Sequence, residues 1–411
     1  MKRRTYILGG YQTDFARNWT KEGKGIPAMI REVLDGGFSE TGIGPEEIDS
    51  AHVGNFAAEL YTMQGHLGAF ICNYHPVLRG IPTSRHEAAC ASSSIAALMA
   101  RTEIEAGIYD LVMVVGVELM KSVDSQTGGS YLGTAAWYEK ECEGIDFPFP
   151  KLFDRLYDVY DEKYGVKYEH LARISAINYD NARRNPNAQT RGWYMNYRHA
   201  CSSGAYNRVI GKRLRATDCS QVTDGAVVLF FSSDEYASRY AGRKGINLES
   251  IPYIQGWGHR TAPILFDDKA HEAKEHEYVL PHTRNAITDA YKRAGISGPS
   301  EISCIETHDC FSITEYAAIE HFGLAAPGEG YKRIEDGTIE IDGRCPVNPS
   351  GGLIGCGHPV GATGARQLLD AYRQVSGDAG DYQVDGAKRV AVLNIGGSAT
   401  TNAVHVIGRD A

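Results

Sequence analysis

One cysteine stands in a run of small residues just before a segment with helical periodicity, so it could act as a nucleophile. Cys90 follows two alanines and precedes one alanine and three serines. Apolar residues from Ile95 to Met99 predict a helix that ends near Gly107. The N–H groups and the positive dipole end at a helix start favour the thiolate, which is the nucleophilic form. The alternative is an inert core residue, because free cysteine is often buried.

The second half of the chain holds two more groups of reactive side chains. His308 and Cys310 follow a predicted strand, and Cys356 and His358 lie in a glycine-rich turn before a predicted helix. Strand ends and turns of this kind are where α/β proteins place ligands. The four side chains could also ligate zinc, but their spacings are tighter than those of usual zinc motifs. The glycines do not match the dinucleotide-binding fingerprint. We therefore expect neither a metal nor a nucleotide cofactor.

These residues must be positioned by an α/β framework that the chain builds twice. Segments 42–55 and 295–308 share one pattern, a loop with a helix start followed by a strand. The helix after Cys90 and its following strand are matched by a helix over 359–372 and a strand over 389–394. Matching units in two halves predict an internal duplication.

Between the halves the composition changes. Residues 121–215 are rich in Tyr, Asn and Arg, and apolar repeats predict helices over 152–164 and 170–177. We expect a helical insertion that rests on the first half, which a strand over 226–231 then completes. Residues 259–282, with four histidines, are predicted to be a polar linker.

Length and charge narrow the function classes. A chain of 411 residues predicts two or three domains, and its net charge of −9 argues against a nucleic-acid partner. Its apolar runs are far shorter than a bilayer span. Nine cysteines without framework spacing fit reduced thiols, which favours the cytoplasm.

Four motifs in their order resemble the thiolase superfamily. They are the turn at Cys90, His308-Asp309-Cys310-Phe311, Gly357-His358-Pro359 and the closing Asn394-Ile395-Gly396-Gly397. The resemblance is greatest to the sterol-carrier-protein-linked thiolases and their bacterial and archaeal acetyl-CoA acetyltransferase relatives, which carry His-Asp-Cys-Phe. Those relatives also lack the cysteine that other thiolases place before the terminal Ile-Gly-Gly. Two departures are Ser92-Ser93-Ser94 in place of Ser-Gly, and Cys356 where many relatives have Lys or Leu.

The resemblance implies a duplicated thiolase fold. Its two βαβαβαββ halves would form a five-layered αβαβα core with a helical loop domain inserted in the first half. Residues 1–120 and 216–262 would form the first half, 121–215 the inserted loop domain, and 263–411 the second half. Relatives are homodimers or dimers of dimers, so an oligomer is expected, and some dock a zinc-ribbon/OB-fold partner protein.

The implied activity is that of an acyl-CoA C-acyltransferase, which makes or cleaves 3-oxoacyl-CoA such as acetoacetyl-CoA. Acyl-CoA and CoA would be substrates, with no cofactor bound permanently and no nucleic acid or membrane as partner. Two alternatives remain open: a thiolase-like condensing or aldol-cleaving enzyme on a bulkier acyl-CoA, and a non-catalytic scaffold. The residues leave open the acyl chain length, the physiological direction and the CoA contacts.

By the same resemblance, Cys90 would form the acyl-enzyme while His358 takes the thiol proton. Cys310 would be the second acid–base group, with Cys356 as the alternative. His308 would bind the developing enolate oxygen, directly or through a water. Backbone N–H groups of Cys90 and Gly396 would form an oxyanion hole, in which one donor is typically worth on the order of 10²–10³ in rate.

Overall fold

The computed structural model describes residues 3–410, which build a mixed nine-stranded sheet and the helices around it. The strands are β1 (Tyr6–Gln12), β2 (Ser50–Gly54), β3 (Thr83–His86), β4 (Leu111–Glu118), β5 (Gly225–Ser232), β6 (Tyr253–Thr261), β7 (Cys304–Glu306), β8 (Arg389–Gly396) and β9 (Thr401–Gly408). The α-helices are α1 (Ile26–Thr41), α2 (Ala58–Thr62), α3 (Ile71–Tyr74), α4 (Ser92–Glu105), α5 (Ser125–Gly133), α6 (Tyr138–Glu141), α7 (Pro148–Tyr164), α8 (Tyr168–Ala182), α9 (Tyr197–Cys201), α10 (Asp234–Lys244), α11 (Phe266–Glu275), α12 (Pro281–Ala294), α13 (Ser312–His321), α14 (Tyr331–Glu335) and α15 (Thr363–Ser376). Within residues 3–410, no helix combines the length and apolar character needed to cross a bilayer.

The sheet shows the internal duplication directly. Its first half has the strand order β3-β2-β4-β5-β1, and its second half continues β6-β9-β8-β7. In both halves a parallel pair, β2–β4 or β7–β8, is followed by antiparallel neighbours. A parallel bridge between Ile305 and Val347 stands where β3 pairs with β2. The two halves meet in one strand pair, Tyr6 with Tyr253, so the predicted repeat is confirmed.

Alternate residues of each central strand face different layers, which explains the layered core. On β4, Met113 and Val115 pack in the cluster that contains α1, while Val112 and Val114 pack against α4 and α15. Strand β8 divides in the same way, and its Val392 joins the cluster of α4 and α15. Helices α4 and α15 therefore form a middle layer between the strands of both halves, as the duplicated thiolase fold requires.

The insertion packs on a different half from the one expected. Helices α7 and α8 contact α13 of the second half, and Phe153 stacks on Phe311 with ring centroids 4.5 Å apart. Leu152 and Ile174 belong to one apolar cluster with Ile313. The apolar faces of α7 and α8 were readable from the sequence, but a periodicity does not name the surface that a helix covers. The prediction that this segment rests on the first half was wrong for α7 and α8, although α5 contacts α2 of the first half.

The predicted polar linker over 259–282 was also wrong. Its first residues, 259–261, are the exposed end of strand β6, and its middle is helix α11. Phe266 and Ala273 bury the apolar side of α11 against α7. All the remaining positions except Ala270 are charged residues or histidine, so the mean composition concealed a narrow apolar stripe.

Candidate active site

Cys90 lies in a tight turn two residues before α4 begins. Ala89 adopts a left-handed conformation with φ of 50°. The Ser92 hydroxyl accepts a hydrogen bond from the Ala88 N–H at 3.0 Å and donates one to the Ala89 carbonyl at 2.6 Å. The turn buries Cys90, whose exposed fraction is 7%. The sulfur is thus held by a closed hydrogen-bonded turn, and not within the first helical turn itself.

The structure brings the expected side chains together from both halves. The Cys90 Sγ and one ring nitrogen each of His308 and His358 all lie within 4.8 Å of one another. The two imidazoles are nearly perpendicular, with centroids 5.2 Å apart. Cys310 lines the same cavity as Cys90 and His358. Two sheet halves and their middle helices therefore converge on one sulfur.

Cys356 lies outside this group. It is fully buried in the middle-layer cluster, with its Sγ 3.6 Å from the Asn185 side-chain nitrogen. It does not line the cavity that contains Cys90 and Cys310. The four-residue zinc set considered from the sequence is therefore not assembled, and the trio of Cys90, His308 and His358 is the set that could hold a metal ion.

The cavity over the sulfur has a volume of about 350 Å³ and mostly apolar walls. Four phenylalanines contribute to it: Phe56, Phe147, Phe149 and Phe311. A larger cleft of about 730 Å³, lined by Arg183 and Arg373 among others, contains none of the predicted site residues. The smaller cavity is the relevant one because the reactive groups open into it.

One wall of this cavity was missed in the sequence. Residues 219–222 line it, and they bridge to Phe311 through Cys219 and to His358 through Val222. The hydroxyl of Thr223 also accepts the backbone N–H of His358 at 2.9 Å. No motif marks this segment; its only signal was its place between the insertion and a core strand.

Burial makes Cys90 a weak acid. Removal from water raises the pKa of its thiol to about 12, although the Gly397 N–H opposes this by pointing at the sulfur. The expectation that a helix start would favour the thiolate was wrong, because desolvation outweighs the backbone N–H groups. The sequence placed a backbone donor at Gly396, and the N–H directed at the sulfur belongs to the next residue. Cys90 therefore needs a base to become a nucleophile.

His358 has the hydrogen bonds of such a base. Its Nδ1 lies 2.7 Å from the Thr363 hydroxyl, and that hydroxyl donates to the Pro359 carbonyl at 3.2 Å. Because the hydroxyl proton is used there, Nδ1 must carry the imidazole proton and Nε2 keeps its lone pair. Burial and, to a smaller extent, the positive charge of Arg366 together lower the pKa of His358 to about 3. The ring is therefore neutral near pH 7.

Two buried carboxylates hold the loops that carry these groups. Glu118, at the end of β4, accepts the N–H groups of Phe56 and Gly361 at 2.8 and 2.9 Å. Asp309 accepts the N–H groups of Leu353 and Ile354 at 2.6 and 3.1 Å. The hydrogen bonds of Glu118 join Phe56, in the cavity wall, to the turn that follows His358. The hydrogen bonds of Asp309 hold the segment that precedes His358. These contacts fix the cavity although neither carboxylate lines it.

The fold and the site together define a class: a duplicated α/β protein with a buried cysteine–histidine centre between its halves. Family models agree, since "Thiolase, N-terminal domain" matches residues 5–191 and "Thiolase C-terminal domain-like" matches residues 267–409. The chain belongs to the thiolase family.

Individual relatives span nearly the whole chain. An acetyl-CoA acetyltransferase of Methanothermobacter thermautotrophicus is 33% identical over 98% of this chain and 99% of its own. Sterol carrier protein 2 of Rattus norvegicus is 28% identical over 96% of this chain and 70% of its own. Among solved structures, the Ltp2-ChsH2(DUF35) aldolase matches with a TM-score of 0.80 and 20% identity, covering 99% of this chain and 98% of its own. That structural likeness shows the shared fold.

Proposed function

We propose that this protein is an acetyl-CoA C-acyltransferase that makes or cleaves 3-oxoacyl-CoA through an acyl group on Cys90. The observation that carries the proposal is the meeting of the Cys90 sulfur with one ring nitrogen of His308 and one of His358, all within 4.8 Å, beneath a mostly apolar cavity that Cys90 and His358 line. The acetyl-CoA acetyltransferase relative, similar over its full length, supports the substrate class. Coenzyme A thioesters are then substrates, and no permanently bound cofactor takes part.

In the first half-reaction the Cys90 sulfur attacks the thioester carbonyl while Nε2 of His358 takes its proton. The departing CoA sulfur takes a proton from Cys310. The N–H of Cys90 and the Gly396–Gly397 turn form the oxyanion hole, and the Gly397 N–H aimed at Sγ supports this placement. This step leaves acyl-Cys90, a Cys310 thiolate and a protonated His358.

In the second half-reaction the Cys310 thiolate removes a proton from the methyl group of a second acetyl-CoA. The enolate carbon attacks the acyl group, and the sulfur of Cys90 leaves and regains its proton from His358. The enolate is the intermediate of highest energy, so donors fixed in advance around its oxygen matter most for the rate. His308 supplies such a donor.

The direct test is thiolysis of acetoacetyl-CoA by the purified protein, compared with medium-chain and branched 3-oxoacyl-CoA substrates. Turnover, together with an acyl adduct on the Cys90 peptide by mass spectrometry, would support the proposal. A protein that binds acyl-CoA without turnover or adduct would be the scaffold alternative. Turnover confined to bulky substrates would favour the thiolase-like enzyme on a bulkier acyl-CoA, for which the mostly apolar cavity of about 350 Å³ gives room.

Replacing Cys310 by alanine should separate the two half-reactions. We expect formation and cleavage of the C–C bond to slow by about 10²–10⁴-fold, the usual contribution of a positioned acid–base group. Acylation of Cys90 should slow less and remain measurable by mass spectrometry, because the departing CoA thiolate can take its proton from water when Cys310 is absent. Cys356→Ala is the matched control, since Cys356 is also fully buried but lies outside the cavity. If Cys356→Ala shows the selective loss and Cys310→Ala does not, the acid–base group has been misassigned.

We further propose the domain boundaries 1–120 with 216–262, 121–215, and 263–411, supported by the change to helices α5–α9 between β4 and β5. The boundary at 262 leaves β6 in the same segment of the chain as β5, although β6 pairs with β9 in the second half of the sheet. A homodimer or dimer of dimers is proposed by resemblance alone. A zinc-ribbon/OB-fold partner is suggested by the aldolase neighbour, whose name pairs Ltp2 with a DUF35 protein. All nine cysteines are free, which supports a reducing compartment such as the cytoplasm.

A further inference from the structure

The protonation pattern of His308 depends on the nitrogen that its neighbour engages. A neutral imidazole has one N–H, and the partner of one ring nitrogen decides which nitrogen carries it. His308 is fully buried, and burial lowers its pKa well below the usual value, so the ring is neutral. Its Nδ1 lies 3.1 Å from the side-chain nitrogen of Asn394. Its Nε2 is buried and has no hydrogen-bond partner among residues 3–410, and one of the two ring nitrogens lies within 4.8 Å of the Cys90 sulfur.

The orientation of the Asn394 amide is set from its other end. The Ser94 hydroxyl donates to the Asn394 Oδ1 at 2.8 Å. In the structure Oδ1 is the amide atom turned toward Ser94, so the NH₂ faces Nδ1 of His308, and an NH₂ group can only donate. Its bond to Nδ1 requires a lone pair there, so the proton of His308 resides on Nε2.

Close packing keeps this chain of hydrogen bonds in place. Ser94 and Asn394 are both fully buried. A Cβ atom on Gly364 would lie 2.2 Å from the Ser94 hydroxyl oxygen and 2.6 Å from Oδ1 of Asn394. The start of α15 thus packs directly against Ser94 and Asn394, and neither side chain has space to adopt another rotamer.

We propose that Asn394, oriented by Ser94, is a positioning residue that fixes His308 as the tautomer with its proton on Nε2. His308 then donates a hydrogen bond to the enolate oxygen and takes no proton in the reaction. The donor role rests on the proposed function, whereas the tautomer is a property of the resting protein. In this chain the role of Asn394, near the end of β8, is therefore to orient the imidazole of His308.

The tautomer can be read by ¹⁵N NMR of protein labelled in its histidine rings, with the His308 signals assigned by their loss in His308→Asn. We expect the wild-type ring to show a protonated Nε2 and a bare Nδ1. Asn394→Asp replaces the donor by a group that only accepts, so Nδ1 should become protonated. Ser94→Ala frees the amide to turn over and should give a mixture of both forms. A wild-type ring protonated on Nδ1 would overturn the proposal.

Kinetics supply the second readout. We expect Asn394→Asp to slow the C–C bond step by about 10²-fold, the cost of losing one donor, and Ser94→Ala to slow it less. Acylation of Cys90 should stay near the wild-type rate in both variants. Asn402→Asp is the matched control, because Asn402 is equally buried on β9 but bonds to Thr283 and the Ala399 carbonyl.

The two proposals fail in different ways. If Asn394→Asp changed neither the tautomer nor the C–C bond step, or if Asn402→Asp reproduced both changes, the positioning role would be refuted. A protein with the expected tautomers but no thiolysis would instead refute the proposed function and retain the assignment of Asn394.

Discussion

Cys90→Ala is expected to abolish thiolysis of acetoacetyl-CoA, with a loss on the order of 10⁵–10⁶ in kcat, as for other covalent nucleophiles. Neither of the other two cavity cysteines, Cys219 and Cys310, can replace the sulfur, because burial raises the pKa of both thiols well above the usual value. The acyl adduct on the peptide should disappear with the activity. Both are measured on one sample, by thioester absorbance and by mass spectrometry.

A matched control distinguishes chemistry from folding. Cys304 on β7 is also fully buried, but it does not line the cavity. Cys304→Ala should cost roughly 1 kcal/mol of unfolding free energy through a small void while keeping most of the activity. Thiolysis retained in Cys90→Ala, or an adduct still formed at another residue, would contradict the nucleophile assignment.

The internal duplication was predictable because it is written in the order of short local patterns along the chain. The patterns at 42–55 and 295–308 lead into β2 and β7, which occupy equivalent places in the two sheet halves. Buried strands read as continuous apolar runs, and β4 and β8 were located in this way within two residues at each end. Motif order then linked Cys90 to His358 although they lie in opposite halves.

The predictions that were wrong concern properties set by tertiary packing, which a single sequence does not specify. The acidity of Cys90 is set by how deeply the turn is buried, and the local helix start argued for the opposite direction. The side on which α7 and α8 pack depends on the matching surface of α13. The sequence showed only that position 394 lacks the cysteine that other thiolases carry there. The role proposed for Asn394 depends on its contacts with Ser94 and His308, which only the structure gives.

His358→Asn is expected to lower kcat by about 10³–10⁵-fold and to change the form of its pH dependence. A thiol whose pKa is about 12 is ionised at pH 7 in only roughly one molecule in 10⁵. The rate of the variant is therefore limited by this small fraction of ionised Cys90. Because a thiolate forms as pH rises, the residual rate should increase about tenfold per pH unit between pH 7 and 9. The wild-type enzyme should show no such slope from Cys90, since His358 removes the proton as the new bond forms.

The acidic side gives an independent check. The pKa of His358 is lowered to about 3, so the base stays unprotonated as pH falls from 8 to 5. Its protonation should therefore cause no loss of wild-type acylation rate in that range, whereas an ordinary histidine would lose activity near pH 6.5. His405→Asn is the matched control, because burial also lowers the pKa of His405 to about 3 while its ring lies on β9, outside the cavity. A flat pH profile in His358→Asn, or the alkaline slope in His405→Asn, would show that the proton of Cys90 leaves by another route. The protein would then need a base other than His358.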